Sequence, residues 1–234
     1  MPKSTEPLLD ADGALLVELV SAAAQALEVN RDTINALNVF PVPDGDTGTN
    51  MLLTLKSVLE DLNGYPSSSV EEISKKMASS ALLGARGNSG LILAQFFKGL
   101  SEALDGESKL GGEQFARSMR IAATKSYGVV PNPVEGTMLT VYRECAEVGE
   151  NSSAQNKSLE KVLVDVAAAS IDSVSRTPGM LPVLAEAEVV DSGGFGFAVM
   201  LDGALRYLRG EIPVARVIKV PLPENSDFTG SPNI

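Results

Sequence analysis

The chain has 234 residues, 44% of them hydrophobic and 5% aromatic; 30 acidic against 19 basic side chains leave a net charge of −11, and histidine is absent. That acidic balance argues against a nucleic-acid or anionic-membrane partner, since no basic patch is there to neutralise phosphates. Without histidine the usual general base, Ser-His chemistry and the commonest transition-metal ligand all disappear, and the one cysteine, Cys145, permits neither an internal disulfide nor a thiolate zinc cage.

What remains for chemistry is carboxylates, hydroxyls, arginine, lysine and backbone amides, a set suited to hard-metal electrostatics rather than proton shuttling. The length suffices for one large domain, or one domain plus a tail. No uninterrupted run of about 18 apolar residues and no signal-peptide pattern is present, so a soluble, cytoplasmic protein without stable membrane insertion is expected.

In chain order, residues 1–11 read as a frayed start. Asp12 caps a first helix to about Val29, with Leu15, Leu19, Ala23 and Leu27 on one stripe. Asn30 then caps a short helix from Arg31 to Leu37, which delivers the chain to Asn38-Val39-Phe40-Pro41-Val42-Pro43-Asp44-Gly45-Asp46-Thr47-Gly48-Thr49-Asn50-Met51. Two small acids one residue apart in a Pro/Gly turn can aim at one hard cation, and magnesium takes one or two carboxylates together with waters and substrate phosphates. Thr47 reads as the N-cap of the next helix, with Met51, Leu55, Val58 and Leu62 on one face. The positive end of that helix beside the acids suits a metal-bound phosphate, although a bare Asp-Gly-Asp is equally an ordinary capped surface turn. A calcium EF-hand fails because Thr49 and Leu55 stand where it needs Gly and Glu, and no Walker phosphate loop or protein-kinase motif set occurs.

Asn63-Gly64 ends this helix. Ser69-Val70-Glu71-Glu72 reads as a capping box opening another, with Val70, Ile73, Met77 and Ala81 inward, as far as Gly84. Gly84-Ala85-Arg86-Gly87-Asn88-Ser89-Gly90 follows as a second glycine-rich turn feeding a helix that carries Leu91, Leu93, Phe96, Phe97, Leu100 and Leu104. By itself that turn is a C-cap glycine followed by a serine N-cap; paired with the first it is a second wall for a phosphate pocket. After a loop at 105–112, Phe115, Met119 and Ala122 mark a helix to about Tyr127, broken by Pro131 and Pro133. Glu135-Gly136-Thr137-Met138 opens the next, with Leu139, Tyr142, Cys145 and Val148; Cys145 is read as a core thiol. Residues 149–157 read as a polar loop and 158–175 as a helix. Arg176-Thr177-Pro178-Gly179 reads as a turn and Leu181 to Glu188 as a short helix. Asp191-Ser192-Gly193-Gly194-Phe195-Gly196 is a third glycine-rich entrance, into a helix ended by Gly210.

The pattern is all-α, about eight helices in an up-and-down antiparallel bundle or closed ring, with one domain over 1–210 and a linker-like tail over 211–234 towards further C-terminal domains. Since the glycine-rich turns fall mainly at alternate connections, such an arrangement gathers them at one end.

Asn38 to Met51, Gly84 to Gly90, Pro133 to Met138 and Asp191 to Gly194 closely resemble the N-terminal kinase domain of bacterial fatty-acid kinase, itself similar to the nucleotide-binding L domain of dihydroxyacetone kinase. The resemblance spans about residues 10 to 210. It implies a helical barrel binding ATP or ADP at one rim through two magnesium ions, and phosphorylation of a fatty acid presented by a DegV-type fatty-acid-binding protein. It also implies metal contacts at Asp44 and Asp46, with neutral Asn38 where the dihydroxyacetone branch has a third aspartate. Thr47, Gly48, Thr49 and Asn50, with Gly87, Asn88, Ser89 and Gly90, fall in the motifs at the phosphates. Thr137 and Met138 fall at the nucleoside, and Arg176, Asp191 and Gly193 in segments closing over the nucleotide, Arg176 with a catalytic role. A homodimer through the further domains is a companion expectation. The rival functions are a dihydroxyacetone-type kinase subunit and a nucleotide-binding regulatory module without turnover.

Overall fold

A computed structural model describes residues 7–155 and 158–211. Among them are nine α-helices: α1 Gly13–Ala36, α2 Thr47–Leu62, α3 Val70–Gly84, α4 Gly87–Ala103, α5 Gly112–Val129, α6 Met138–Gln155, α7 Leu159–Arg176, α8 Pro182–Glu186 and α9 Ser192–Leu208. Two-residue strands, β1 Asp10–Ala11 and β2 Leu110–Gly111, pair antiparallel, and a 3-10 turn spans Thr177–Gly179.

Most long helices bury one apolar face at helical spacing, whereas α9 is buried on all sides from Ser192 to Leu201. In α1 that face is Leu16, Val20, Ala23, Leu27 and Ile34, so the inward register starts at Leu16 and not at Leu15. Long-helix neighbours in sequence are neighbours in space, and α9 returns to pack along α1, which closes α1 to α7 and α9 into an eight-membered ring, the closed one of the two arrangements expected from the sequence. Backbones approach closely where glycine allows it: a Cβ on Gly99 would lie 2.6 Å from Ser118 O, and one on Gly203 2.8 Å from Ala22 O. Aromatic side chains meet inside the barrel. Tyr142 of α6 and Phe197 of α9 stack edge-on with centroids 4.5 Å apart, and Phe96 of α4 meets Phe197 at 5.5 Å. An apolar cavity of about 60 Å³ remains in the half away from the acidic loop, between Leu16, Phe97, Leu110, Phe115, Leu159 and Met200.

Several boundaries differ from the sequence reading. Asn30 does not start a second helix: it is buried in the middle of α1, where its side chain donates to Ala26 O at 2.9 Å. Residues 149–155 continue α6 instead of forming a loop. The N-cap of α2 is Asp46, with Thr47 the first helical residue, and α4 begins at Gly87, so Gly87 to Gly90 form its first turn instead of preceding it. Residues 8–11 are anchored rather than frayed. Leu159 N–H donates to Leu9 O at 2.9 Å, Ser158 Oγ to Leu8 O at 2.9 Å, and Asp10–Ala11 pair with Leu110–Gly111. α1 also proves long and apolar enough, by length and composition, to span a membrane, yet half of that window is buried and it serves as a wall of the ring. Cys145 is buried, and burial pushes its thiol up, as befits a core position. The tail reading for 212–234 lies outside the described residues.

Candidate active site at one rim of the barrel

An up-and-down ring sends alternate connections to the same end, so the α1–α2, α3–α4, α5–α6 and α7–α9 connections share one rim. Contacts between them bear this out. Ser89 Oγ of α4 donates to Thr47 O of α2 at 3.5 Å, Ser192 Oγ of α9 reaches Thr47 Oγ1 at 3.2 Å, and a Cβ on Gly87 would lie 2.5 Å from Asn50 Nδ2. A Cβ on Gly193 would lie 3.3 Å from Met138 Sδ, and one on Gly136 2.9 Å from the Leu181 side chain. All four glycine-rich or proline-rich turns singled out in the sequence therefore meet.

The acidic loop is shaped by Asn38. Its buried amide Oδ1 accepts the N–H groups of Asp46 at 3.2 Å and Thr47 at 3.3 Å, and its Nδ2 donates to Val42 O at 3.0 Å. The oxygen implied to stand at a metal is thus already bonded to two backbone donors, and the structure shows Asn38 holding the loop instead. Asn35, which no sequence signal marked, braces the next turn in the same way. Its Oδ1 accepts Thr49 N–H at 3.1 Å and its Nδ2 donates to Thr49 Oγ1 at 3.0 Å. Gly48 sits directly on α1, where a Cβ would lie 2.6 Å from Arg31 O. Thr49 and Gly48 are therefore bound to α1 rather than presented to a ligand. Asp44 is exposed and Asp46 half-buried, and neither carboxylate has a hydrogen-bond or ion-pair partner among the described residues. No cluster of three or more metal-ligating acids, histidines or cysteines occurs among those residues, so a cation here would complete its shell from water, ligand oxygens and the two aspartates.

The helix N-termini on this rim differ in how many donors they leave open. An α-helix begins with four N–H groups that no helical carbonyl can reach. At α2, Asn38 and Asn35 take those of Asp46, Thr47 and Thr49. At α9, Thr177 Oγ1 takes Asp191 N–H at 3.0 Å and the Asp191 carboxylate takes Gly194 N–H at 2.6 Å. At α4 only Arg86 N–H is taken, by the hydroxyl of buried Thr54 at 3.3 Å, and helical bonding starts with Gly90 N–H to Arg86 O at 2.9 Å. The N–H groups of Gly87, Asn88 and Ser89 have no acceptor among the described residues, and they stand against the α2 turn that begins one residue after Asp46. Gly87 is at φ 57°, the left-handed region where a side chain is strained. Open N–H groups at a helix N-terminus, next to two carboxylates without a partner among the described residues, are a donor set of the kind that can receive phosphate oxygens and a hard cation.

Other residues expected at the site are placed differently. Met138 is buried at the start of α6, and Asp191 and Gly193 are buried inside the wall. Burial raises the Asp191 carboxyl to about 6, against the pull of its backbone bonds from Gly194 and Met138. It acts as a clasp between α6 and α9. Thr137 is half-buried and its hydroxyl donates to Val134 O at 2.8 Å. Arg176 lies at the rim end of α7, but its guanidinium is held by Glu144 and Asp172, 3.1 Å from the latter, and hydrogen bonding to Glu144 raises its pKa further. It is therefore no free cation. Exposed Met180, also unmarked in the sequence, borders Gly136 in the α7–α9 connection.

Comparison with known proteins fits this architecture. A family model described as the DAK2 domain matches residues 41–206. The chain is 39% identical over 223 residues to an uncharacterized protein of Staphylococcus epidermidis and, at the same identity, to one of Staphylococcus saprophyticus. In each case the match covers 94% of this chain and 40% of the relative. The chain thus spans about 40% of the length of those curated relatives. Among solved structures, the dihydroxyacetone kinase from C. freundii in complex with AMP-PNP and Mg2+ superposes with a TM-score of 0.63 at 16% identity, covering 88% of this chain and 36% of that one. Its native form gives 0.61 at 17% identity, over 88% of this chain and 37% of that one. The fold is that of the dihydroxyacetone kinase L domain, and the chain belongs to the DAK2 domain family.

Proposed function

We propose that this chain is the nucleotide-binding domain of a magnesium-dependent kinase. The reaction is transfer of the terminal phosphoryl group of ATP to the carboxylate of a fatty acid presented by a DegV-type fatty-acid-binding protein. The observation that carries the reading is the pairing on one rim of two uncommitted carboxylates, Asp44 and Asp46, with three unpaired N–H groups, Gly87 to Ser89. Asp44 and Asp46 would hold magnesium, which when bound neutralises charge on the phosphates. The first turn of α4 receives phosphate oxygens, Asn38 and Asn35 keep the acidic loop in register, and Thr137 and Met180 border the nucleoside side. That the solved C. freundii kinase carries AMP-PNP and Mg2+ supports the same pairing here, with two ions as in the family the sequence resembles.

In the transfer, the bond from the terminal phosphorus to its bridging oxygen breaks, the electron pair leaves with ADP, and a new bond forms to a carboxylate oxygen of the acceptor. A carboxylate is ionised at neutral pH, so no proton need be removed. That suits a chain without histidine. The likeness to dihydroxyacetone kinase favours, as a second reading, a small hydroxyketone acceptor. The test offers full-length protein Mg-ATP with either a fatty acid on its carrier or dihydroxyacetone. Acyl phosphate formation is expected; turnover of dihydroxyacetone alone establishes the second reading, and no transfer to either contradicts both.

A further inference from the structure

Phosphoryl transfer gathers negative charge on the terminal phosphate oxygens, and a cation meeting them there accelerates the reaction more than it tightens ground-state binding. Arg176, engaged by Glu144 and Asp172, does not offer a free charge. Of the arginines and lysines among the described residues, all but Arg86 and Arg209 have a carboxylate within 4.0 Å. Arg209 caps the far end of α9. Arg86 is on the rim, at the N-cap of α4, immediately before the three unpaired N–H groups.

Its backbone is firmly placed and its side chain is not. Thr54, fully buried on α2, accepts Arg86 N–H at 3.3 Å, and Arg86 O receives the first helical bond of α4. The exposed guanidinium makes only a long contact, 3.4 Å, to the carbonyl of neighbouring Ala85. In a chain of net charge −11, Arg86 stands beside the open turn of α4 with no carboxylate partner among the described residues. We propose that Arg86 is a catalytic residue of this site: its guanidinium contacts the terminal phosphate of a bound triphosphate and follows the charge that develops as the bond to the diphosphate breaks. The inference rests on the nucleotide reading above.

The test titrates the full-length protein and its Arg86→Ala and Arg86→Lys variants calorimetrically with Mg-ADP and Mg-AMP-PNP, and follows the transfer rate beside it. Arg86→Ala should weaken Mg-AMP-PNP about tenfold or more while Mg-ADP stays within about threefold, as expected for loss of one charge-assisted contact to the terminal phosphate. Transfer should fall by at least about 100-fold. Arg86→Lys should recover most of the analogue binding but only part of the rate, because a point charge lacks the planar fork. Equal weakening of both nucleotides, or of neither, overturns the assignment to Arg86 while leaving the nucleotide site intact. A wild-type protein that binds neither nucleotide overturns the site itself, and the inference with it.

Discussion

The two ends of this barrel are made of the same material, helix termini joined by connections, and are finished in opposite ways. At the far end the segment 8–13 runs across the α6–α7, α4–α5 and α2–α3 connections. It pairs with Leu110–Gly111, bonds to Ser158, Leu159 and Glu160, and brings Gly13 so close to Ser68 that a Cβ would lie 2.2 Å from its carbonyl oxygen. The backbone groups of that segment find partners there. At the rim the carboxylates of Asp44 and Asp46 and the N–H groups of Gly87, Asn88 and Ser89 have no partner, and the Arg86 guanidinium has no carboxylate, among the described residues. Open groups at a surface add little to stability, because water already solvates them, but they are available to a ligand. The contrast separates what holds the barrel from what the barrel presents.

That contrast predicts a double dissociation. Asp44→Ala with Asp46→Ala should lower Mg-ADP affinity by more than about 100-fold, yet move Tm by less than about 2 °C, since surface changes away from packing cost within roughly 0.5 kcal/mol. Loss of stability without loss of binding would contradict the separation from one side. Gly13→Val probes it from the other: overpacking against Ser68 should cost about 1–3 kcal/mol and lower Tm by roughly 3–10 °C, leaving nucleotide affinity unchanged once the protein is folded. Calorimetry and thermal melts on both variants decide it.

The Asp191 clasp refines the contrast, because it is a rim residue built like the far end. Its folded carboxyl, raised from 3.8 to about 6, holds its proton more tightly than the unfolded chain does. Its contribution to stability is therefore full below about pH 4 and is lost as pH rises through about 6. Asp191→Asn keeps a capping oxygen without the buried charge. The variant should gain on wild type between pH 4 and pH 7 by an amount on the order of 2 kcal/mol, read as a widening Tm difference. A difference that does not change with pH would show that folding leaves the Asp191 carboxyl unshifted. The smallest effect is deep inside: Tyr142 is fully buried and its hydroxyl has no hydrogen-bond partner among the described residues. Tyr142→Phe should leave Tm unchanged or raise it by about 1–3 °C, whereas a loss above roughly 1 kcal/mol would reveal a partner for that hydroxyl.

Much of the frame was legible because local patterns and tertiary demands agree. The stripe Met51, Leu55, Val58, Leu62 gives α2 its bounds, and Val70, Ile73, Met77, Ala81 those of α3, all of them buried. Short connections were compatible with a bundle or a closed ring, and the alternation of the glycine-rich ones placed them at one end. Where the reading failed, a long-range partner overrode a local preference. Asn30 looks like a cap, but its side chain bonds back to Ala26 and α1 continues. Residues 8–11 have no helical or alternating pattern, and they are ordered by pairing with segments about 100 and 150 residues away in sequence. At the rim the acids, the α4 turn and their proximity were legible from the motifs. Asn35 and Thr54, which decide which N–H groups stay open, were not, since each acts through a hydrogen bond across two helices. The partners of Arg176 were hidden for the same reason: nothing near it in the chain announces Glu144 of α6.

Whether the open rim is a metal–phosphate site is decided by a crystal structure of the protein with ADP and magnesium. Phosphate oxygens are expected within hydrogen-bond reach of Gly87, Asn88 and Ser89 N–H, and magnesium between those oxygens and the carboxylates of Asp44 and Asp46. Nucleotide bound elsewhere, with both aspartates turned to solvent and no metal beside them, would contradict that reading.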